Sequence, residues 1–315
     1  MNAAVCSCLG LGDGLIALVL SHNLYLHGHK VTTFHPFLSQ LQAWFPHLPI
    51  QPFPPKIEVF NRYFIIYEKS EWMQAVLKEC LERHRTQTTV LNPIATPNTD
   101  YAYWEEGRFD GNRPFAENLL FYCRNVLGLS KATKNNGITV PKGVTPHKYP
   151  KRVVIHPTSS RPGKNWTREK FLKLAEKLKK EGFEPAFTVS PKERCDWPEA
   201  PAFATLADLV TFVCESGYMI GNDSGVGHLA SCLGLPTVTL CRNERTANFW
   251  RPAWSPGKIC LPVPWLPNVK GMRWRDEHWQ RGISVRKVLL SFEELCVFGN
   301  ERADLTRLRK KDVVC

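Results

Sequence analysis

The stretch "YMIGNDSGVGHLASCLGLPTVTL", residues 218–240, decides the fold. It opens on an apolar run, breaks at Asn222, Asp223, Ser224 and Gly225, continues with helical spacing, and returns to a β-branched run after Gly234. That is a strand, a tight turn, a helix and a second strand, the repeating unit of a parallel α/β sheet. Such sheets hold ligands beyond the carboxyl ends of their strands. A helix start leaves amides unpaired and carries partial positive charge, which suits phosphate oxygens. Gly225 and Gly227 keep the approach clear, and Ser224 offers a hydroxyl. Asp223 suits the turn, or a sugar hydroxyl, better than it suits a phosphate. His228, one turn into the helix, is a candidate donor to a phosphate or to the turn backbone. The same residues would also serve simply to cap a helix, so the neighbouring strand ends must decide.

Two of them carry matching chemistry. The strand "RVVIHP" (152–157) runs into "TSSRPGKNW" (158–166), with hydroxyls at Thr158, Ser159 and Ser160 and an ammonium at Lys164. The strand "FEPAFTVS" (183–190) runs into "PKER", where Glu193 is placed to accept from ribose hydroxyls. Hydroxyls, a lysine and a helix start at adjacent strand ends form a diphosphate clamp, and an acid beside them suits a ribose.

The rest of the chain follows the same grammar. Residues 2–8, "LGLGDG", the segment Leu15 to Leu26 and "HGHKVTTFH" (27–35) form a strand–turn–helix–strand unit. Further strands are expected at 61–69 and 87–93, with a helix over 71–85 between them. The Pro-, Gly- and Lys-rich stretch 135–151 reads as an interdomain linker. Beyond it, 166–182 is a helix with Thr167 at its N-cap and Phe171, Leu174, Ala175 and Leu178 on its apolar stripe. Helices at 206–217 and 224–234 and strands at 218–223 and 235–241 complete the series. The expected fold is α/β, with two Rossmann-like doubly wound domains facing a cleft. The first domain spans 1–148 and the second 149–315, and the last helix, 284–298, is expected to pack back toward the first domain.

Bulk properties bound the function. The chain has 315 residues, 43% hydrophobic and 22% charged, as in a globular protein of two domains. It shows no bilayer-spanning apolar run. The amino-terminal apolar segment lacks a basic leader and is interrupted by Asp13, so it reads as a strand and a helix start. A net charge of +12 serves solubility or points to an acidic partner, a nucleotide, a nucleic acid or an anionic membrane, and the stretch 302–312, densest in base, reads as a solvated helix face or as a contact to anionic lipid headgroups. Basic and aromatic residues do not interleave as in a nucleic-acid module. The 11 cysteines form no CxxC pair. Cys214, Cys232, Cys241 and Cys296 have apolar neighbours, so they are expected as buried thiols in a reducing cytoplasm.

"GLGDG" (10–14) invites a dinucleotide reading and fails it. Leu15 stands where the third glycine belongs, and no acid closes the next strand. Asp13 remains, on a glycine-flanked turn, either as a helix cap or as a general base.

The string DSGxxHLAxxLGxP at 223–236, with HPxxS and KxW upstream and GxGD near the start, resembles glycosyltransferase family 9, the ADP-heptose:lipopolysaccharide heptosyltransferases. The resemblance is strongest over 152–241. Ser190 and "CRNERTANFW" (241–250) depart from the family pattern. The resemblance implies a GT-B fold, an inverting mechanism, and a nucleotide-sugar donor held in the second domain. It implies donor phosphate contacts from Ser159, Ser160, Lys164, Ser224 and Gly225, a sugar contact from Asp223, a ribose contact from Glu193, and Asp13 as catalytic base. It also implies a lipid-linked saccharide acceptor and a cytoplasmic enzyme, peripheral on the inner membrane. Basic and aromatic residues of the first domain, such as Arg62, Tyr101 and Trp104, are candidate acceptor contacts that no motif marks individually. The chain has no Asp-x-Asp pair to hold a divalent metal, so neither a metal nor a cofactor is expected. The alternatives are another nucleotide sugar or acceptor, or a sugar-nucleotide-binding module without catalysis.

Overall fold

The computed structural model describes residues 1–53, 60–93, 109–264 and 274–297. The chain divides into two units, Met1–Val144 with Ala204–Val210, and Thr145–Phe203 with Thr211–Cys315.

In the first unit, β1 (Asn2–Cys6), β2 (Lys30–Phe34), β3 (Ile50–Gln51), β4 (Arg62–Ile66) and β5 (Thr88–Leu91) form one sheet in the order β3-β2-β1-β4-β5. Every pairing is parallel. A central parallel strand is covered on both faces and needs an unbroken apolar run. The run from Ala3 to Cys6 supplies it, and all four residues are buried. Helix α1 (Leu11–Leu26) follows β1, α2 (Glu71–Arg83) follows β4, and α3 (Phe115–Phe121) comes after β5. α2 buries Met73, Val76, Leu77 and Cys80, the stripe expected of a helix with one covered face. That stripe packs with Ala4, Cys6, Tyr63 and Ile65 of the sheet.

In the second unit, β6 (Tyr149–His156), β7 (Glu184–Phe187), β8 (Ser216–Asn222), β9 (Thr237–Leu240) and β10 (Gly257–Cys260) form a second parallel sheet, ordered β10-β9-β8-β6-β7. The helices that follow in the chain are α4 (Arg168–Lys180), α5 (Leu206–Cys214), whose residues 206–210 are grouped with the first unit, α6 (Gly225–Cys232), α7 (Glu244–Trp250), α8 (Trp274–Glu277), α9 (Trp279–Gly282) and α10 over 285–297. Val153, Ile155, Phe171, Leu174, Ile220 and Val238 share one core with Val288, Phe292 and Leu295 of α10. The last helix therefore buries its apolar face in the second unit's own core, a correction to the expected packing toward the first domain.

Other differences are local. α1 starts at Leu11 rather than Leu15, because Gly10 takes the extended N-cap conformation and the glycine-rich turn itself enters the helix. Helix α3, β10 and α7 were not legible in the sequence. α7 is set by its cap, with the Asn243 side chain accepting from the Thr246 amide at 2.9 Å.

One buried side chain fixes the loop after β6. Asn222 ends β8 and is 1% exposed. Its Nδ2 donates to the Pro157 carbonyl at 2.6 Å, and its Oδ1 accepts from the Trp166 amide at 3.0 Å. Both ends of the loop 157–166 are thus held by one amide group. Two further bonds brace the same loop: Trp279 Nε1 donates to the Gly163 carbonyl at 3.0 Å, and Trp166 Nε1 donates to the Ile283 carbonyl at 3.1 Å. Asn222→Ala would leave the Pro157 carbonyl and the Trp166 amide buried without these partners. Each orphaned group costs about 1–3 kcal/mol. Urea unfolding of the variant is therefore expected at a clearly lower midpoint. An unchanged midpoint would show that the amide does not hold the loop.

Candidate active site

Strands β7, β6 and β8 are neighbours, and being parallel they end at one edge of the second sheet. The turn Pro191–Glu193 follows β7, the loop 157–166 follows β6, and Asp223, Ser224 and α6 follow β8. Glu193 links the first two. Its Oε2 accepts from Thr158 Oγ1 at 3.1 Å and from the amide and hydroxyl of Ser190 at 2.9 and 2.6 Å. These bonds close a capping box on the turn and commit one carboxylate oxygen to structure. The hydroxyl of Ser159 lies 3.0 Å from the Arg161 carbonyl and 2.7 Å from Asn165 Oδ1. Its hydrogen is used inside the loop, which leaves its oxygen as an acceptor. Ser160 is exposed.

Lys164 and Asp223 meet across this edge, Nζ to Oδ2, at 3.2 Å. Their side chains are 37% and 12% exposed. The sequence placed Asp223 as a turn cap or a sugar contact, and the structure adds an ion pair to Lys164. An ammonium has three hydrogens, so one bond to Asp223 leaves two for a ligand. Beyond Asp223, the amides of Gly227 and His228 return to the Ser224 carbonyl, while those of Gly225 and Val226 precede the first intrahelical bonds. Ser224 is the N-cap residue, and its buried Oγ has no hydrogen-bond partner among the described residues.

His228 differs from the sequence reading. Burial pushes its pKa below the ordinary histidine value and so favours the neutral ring. The ring bonds to the backbone of Trp250, while Nδ1 is buried without a partner. A carbonyl only accepts, so Nε2 carries the hydrogen and Nδ1 is an acceptor. In this form the free nitrogen takes a hydrogen bond and cannot give one to a phosphate. Cys241 is held as a thiol chiefly by burial and secondarily by the charge of Asp223. It is a neutral filler here and no nucleophile.

In the first unit, Asp13 lies in the first turn of α1 and is half-buried. A Cβ on Gly10 would fall 2.3 Å from Asp13 Oδ2, so the carboxylate folds back over Gly10, and a side chain there would push it aside. Two residues not singled out in the sequence hold this turn. Glu68 Oε1 accepts from the Leu9 amide at 3.0 Å, and His35 Nε2 lies 3.1 Å from the Gly10 carbonyl. Cys8, on the same turn, is kept protonated by burial first and by Asp13 and Glu68 next.

Arg62 is part of β4 and is half-buried. Tyr101, Trp104, the basic stretch 302–312 and residues 265–273 of the loop 265–282 lie outside the described residues. Cys214 and Cys241 are buried as expected, whereas Cys232 and Cys296 are half-buried. Among the described residues no three or more His, Cys, Asp or Glu are grouped to hold a metal ion. No helix among them is long and apolar enough to cross a membrane.

Residues 128–270 match the family model of glycosyltransferase family 9 (heptosyltransferase). No curated protein matches the chain by sequence. Solved structures match over nearly its whole length. ADP-heptose LPS heptosyltransferase II of E. coli is 15% identical, with 95% of this chain and 100% of that one covered and a TM-score of 0.65. E. coli heptosyltransferase WaaC with ADP-2-deoxy-2-fluoro heptose is 12% identical, with 93% and 99% covered and a TM-score of 0.66. A family 9 glycosyltransferase from Veillonella parvula is 17% identical, with 94% and 97% covered and a TM-score of 0.62. The chain is thus a glycosyltransferase family 9-like protein, with the family's sequence over residues 128–270 and a GT-B fold.

Proposed function

We propose that this chain moves a heptose from ADP-heptose to a lipopolysaccharide inner-core acceptor, with inversion and without a metal. One observation carries the reading. Lys164, Asp223, Glu193 and the start of α6 sit at the ends of three adjacent strands, within the residues that match the family. The two hydrogens left on Lys164 and the leading amides of α6 bind the diphosphate, aided by Ser160, Ser224 and Gly225, while Ser159, expected as a phosphate contact, spends its hydrogen within the loop and shapes it instead. Glu193 keeps its second oxygen for ribose hydroxyls. Asp223 orients the donor sugar, and His228 accepts from a hydroxyl or an N–H of the donor. An ADP-sugar is supported by the ADP-fluoroheptose bound to the WaaC relative. The acceptor is anionic and lipid-linked, which fits a net charge of +12 and a peripheral position on the cytoplasmic face of the inner membrane.

The chemistry follows from these groups. An acceptor hydroxyl attacks the anomeric carbon opposite the diphosphate. The carbon–oxygen bond to phosphate breaks, ADP leaves with the electron pair, and Asp13 takes the proton of the hydroxyl. Charge developing on the leaving diphosphate is met by Lys164 and the α6 amides, donors set in place before the reaction. The amino-terminal domain, 1–148 as read from the sequence, takes the acceptor, and the carboxy-terminal domain, 149–315, takes the donor.

Asp13→Asn keeps the shape of the side chain and removes its basicity. Turnover is expected to fall about 10²–10⁴-fold with donor affinity unchanged, and normal turnover would dismiss Asp13 as the base. EDTA is expected to leave turnover of the wild-type protein intact. Loss of activity on chelation, restored by a divalent ion, would overturn the metal-independent assignment. A panel of ADP-, UDP- and GDP-sugars is expected to show turnover with ADP-heptose. Turnover confined to another member would replace the donor, and donor binding without turnover of any member would favour a binding module.

A further inference from the structure

His35 follows β2 and is completely buried. Its bonds determine where its hydrogen sits. The amides of Phe37 and Leu38 both point at Nδ1, from 3.2 and 3.1 Å. Amides donate, so Nδ1 carries a lone pair. Nε2 lies 3.1 Å from the Gly10 carbonyl, which only accepts, so the hydrogen is on Nε2. Burial pushes the ring's pKa down to about 4, which keeps it neutral at ordinary pH and rules it out as a proton carrier there.

The ring has room only because residue 14 is glycine. A Cβ there would come within 2.5 Å of His35 Cδ2 and Nε2 and within 2.8 Å of Leu38 Cδ1. The Gly10 carbonyl also accepts the first helical bond, from the Gly14 amide at 2.9 Å. His35 Nε2 and the Gly14 amide therefore meet at one oxygen, that of Gly10, the residue over which the Asp13 carboxylate folds.

We infer that His35 is a positioning residue for Asp13: its Nε2–H fixes the Gly10 carbonyl and thereby the turn on which the carboxylate rests. This rests on Asp13 being the base. A histidine suits the task because it is rigid and donates at one end while accepting at the other. On the opposite side of the turn, Glu68 holds the Leu9 amide, so the backbone on either side of the Leu9–Gly10 peptide is tethered. Catalytic geometry is sensitive to such support, since a displacement of about 1 Å costs on the order of 10²-fold in rate.

Two substitutions separate positioning from mere packing. In His35→Asn the side-chain carbonyl reaches the place of Nδ1 and still accepts from Phe37 and Leu38, but nothing reaches Gly10. In His35→Gln the longer amide reaches the place of Nε2 and donates to Gly10 again. His35→Asn is expected to lower kcat about 10–100-fold, with ADP affinity by calorimetry unchanged, and His35→Gln to recover most of the loss. Both variants within twofold of wild type would overturn the proposal, as would equal losses of kcat in both that track their unfolding midpoints. If His35→Asn does not fold, Gly14→Ala replaces it, because the added methyl pushes the ring off Gly10. The same loss of kcat is expected, and its absence counts against the proposal. Asp13→Asn is assayed alongside. If it turns over normally, the base assignment falls and the role of His35 falls with it. If it is inactive while His35→Asn is normal, only the role of His35 falls.

Discussion

The amide of Asn222 holds two ends of one loop, and the candidate donor site depends on that single buried group. A loop of ten residues with three hydroxyls and a lysine would otherwise sample many shapes, at a cost of about 1–2 kcal/mol for each residue fixed on binding. Here the ordering is done when the protein folds. Asn222 ties Pro157 to Trp166, Trp279 ties Gly163, and Ser159 bonds within the loop. Lys164 is then presented from a set backbone. Because Asn222 is the last residue of β8, the same strand end fixes the loop and starts the turn to α6.

The Lys164–Asp223 pair gives this edge an internal counter-charge. A lysine facing only helix amides would be repelled by the partial positive charge of the α6 start. Asp223 offsets that repulsion while leaving two ammonium hydrogens unused. An arriving diphosphate thus meets donors already oriented, which is what stabilising a leaving group requires. The thiols beside the two sites add no competing nucleophile: burial is the main reason Cys241 and Cys8 stay protonated. Preorganisation extends to the first unit, where Asp13 sits over Gly10 on a turn held from both sides.

Local signals in the sequence revealed the parts that local physics controls. The apolar stripe of α4, the buried runs of β1 and β8, and the turn at 222–225 were legible because periodicity and helix-start chemistry act over a few residues. The carboxyl ends of strands were overestimated by one to three residues, since an apolar residue after a strand, such as Cys8, looks the same as one within it. Helix α7 was hidden because its seven residues have no clean stripe and its Asn243 cap reads as an ordinary polar residue. What the sequence could not show is pairing at a distance. Lys164 and Asp223 are 59 residues apart, Leu9 and Glu68 also 59, and Gly10 and His35 are 25 apart. Nothing in the neighbourhood of His35 or Glu68 marks them, because their partners arrive only when the parallel sheet brings strand ends together. Loop 265–282 had no reading at all, yet its end supplies Trp279 as a brace for the donor loop.

The central claim is that the second unit holds a nucleoside diphosphate through the Lys164 ammonium and the amides at the start of α6. Calorimetric titration of ADP into the wild-type chain and into Lys164→Met tests it most directly. The account predicts binding to the wild type and an affinity roughly 10–100-fold weaker in the variant, the worth of one charge-assisted hydrogen bond. No heat with ADP on folded protein, or equal affinity in the two chains, would contradict it.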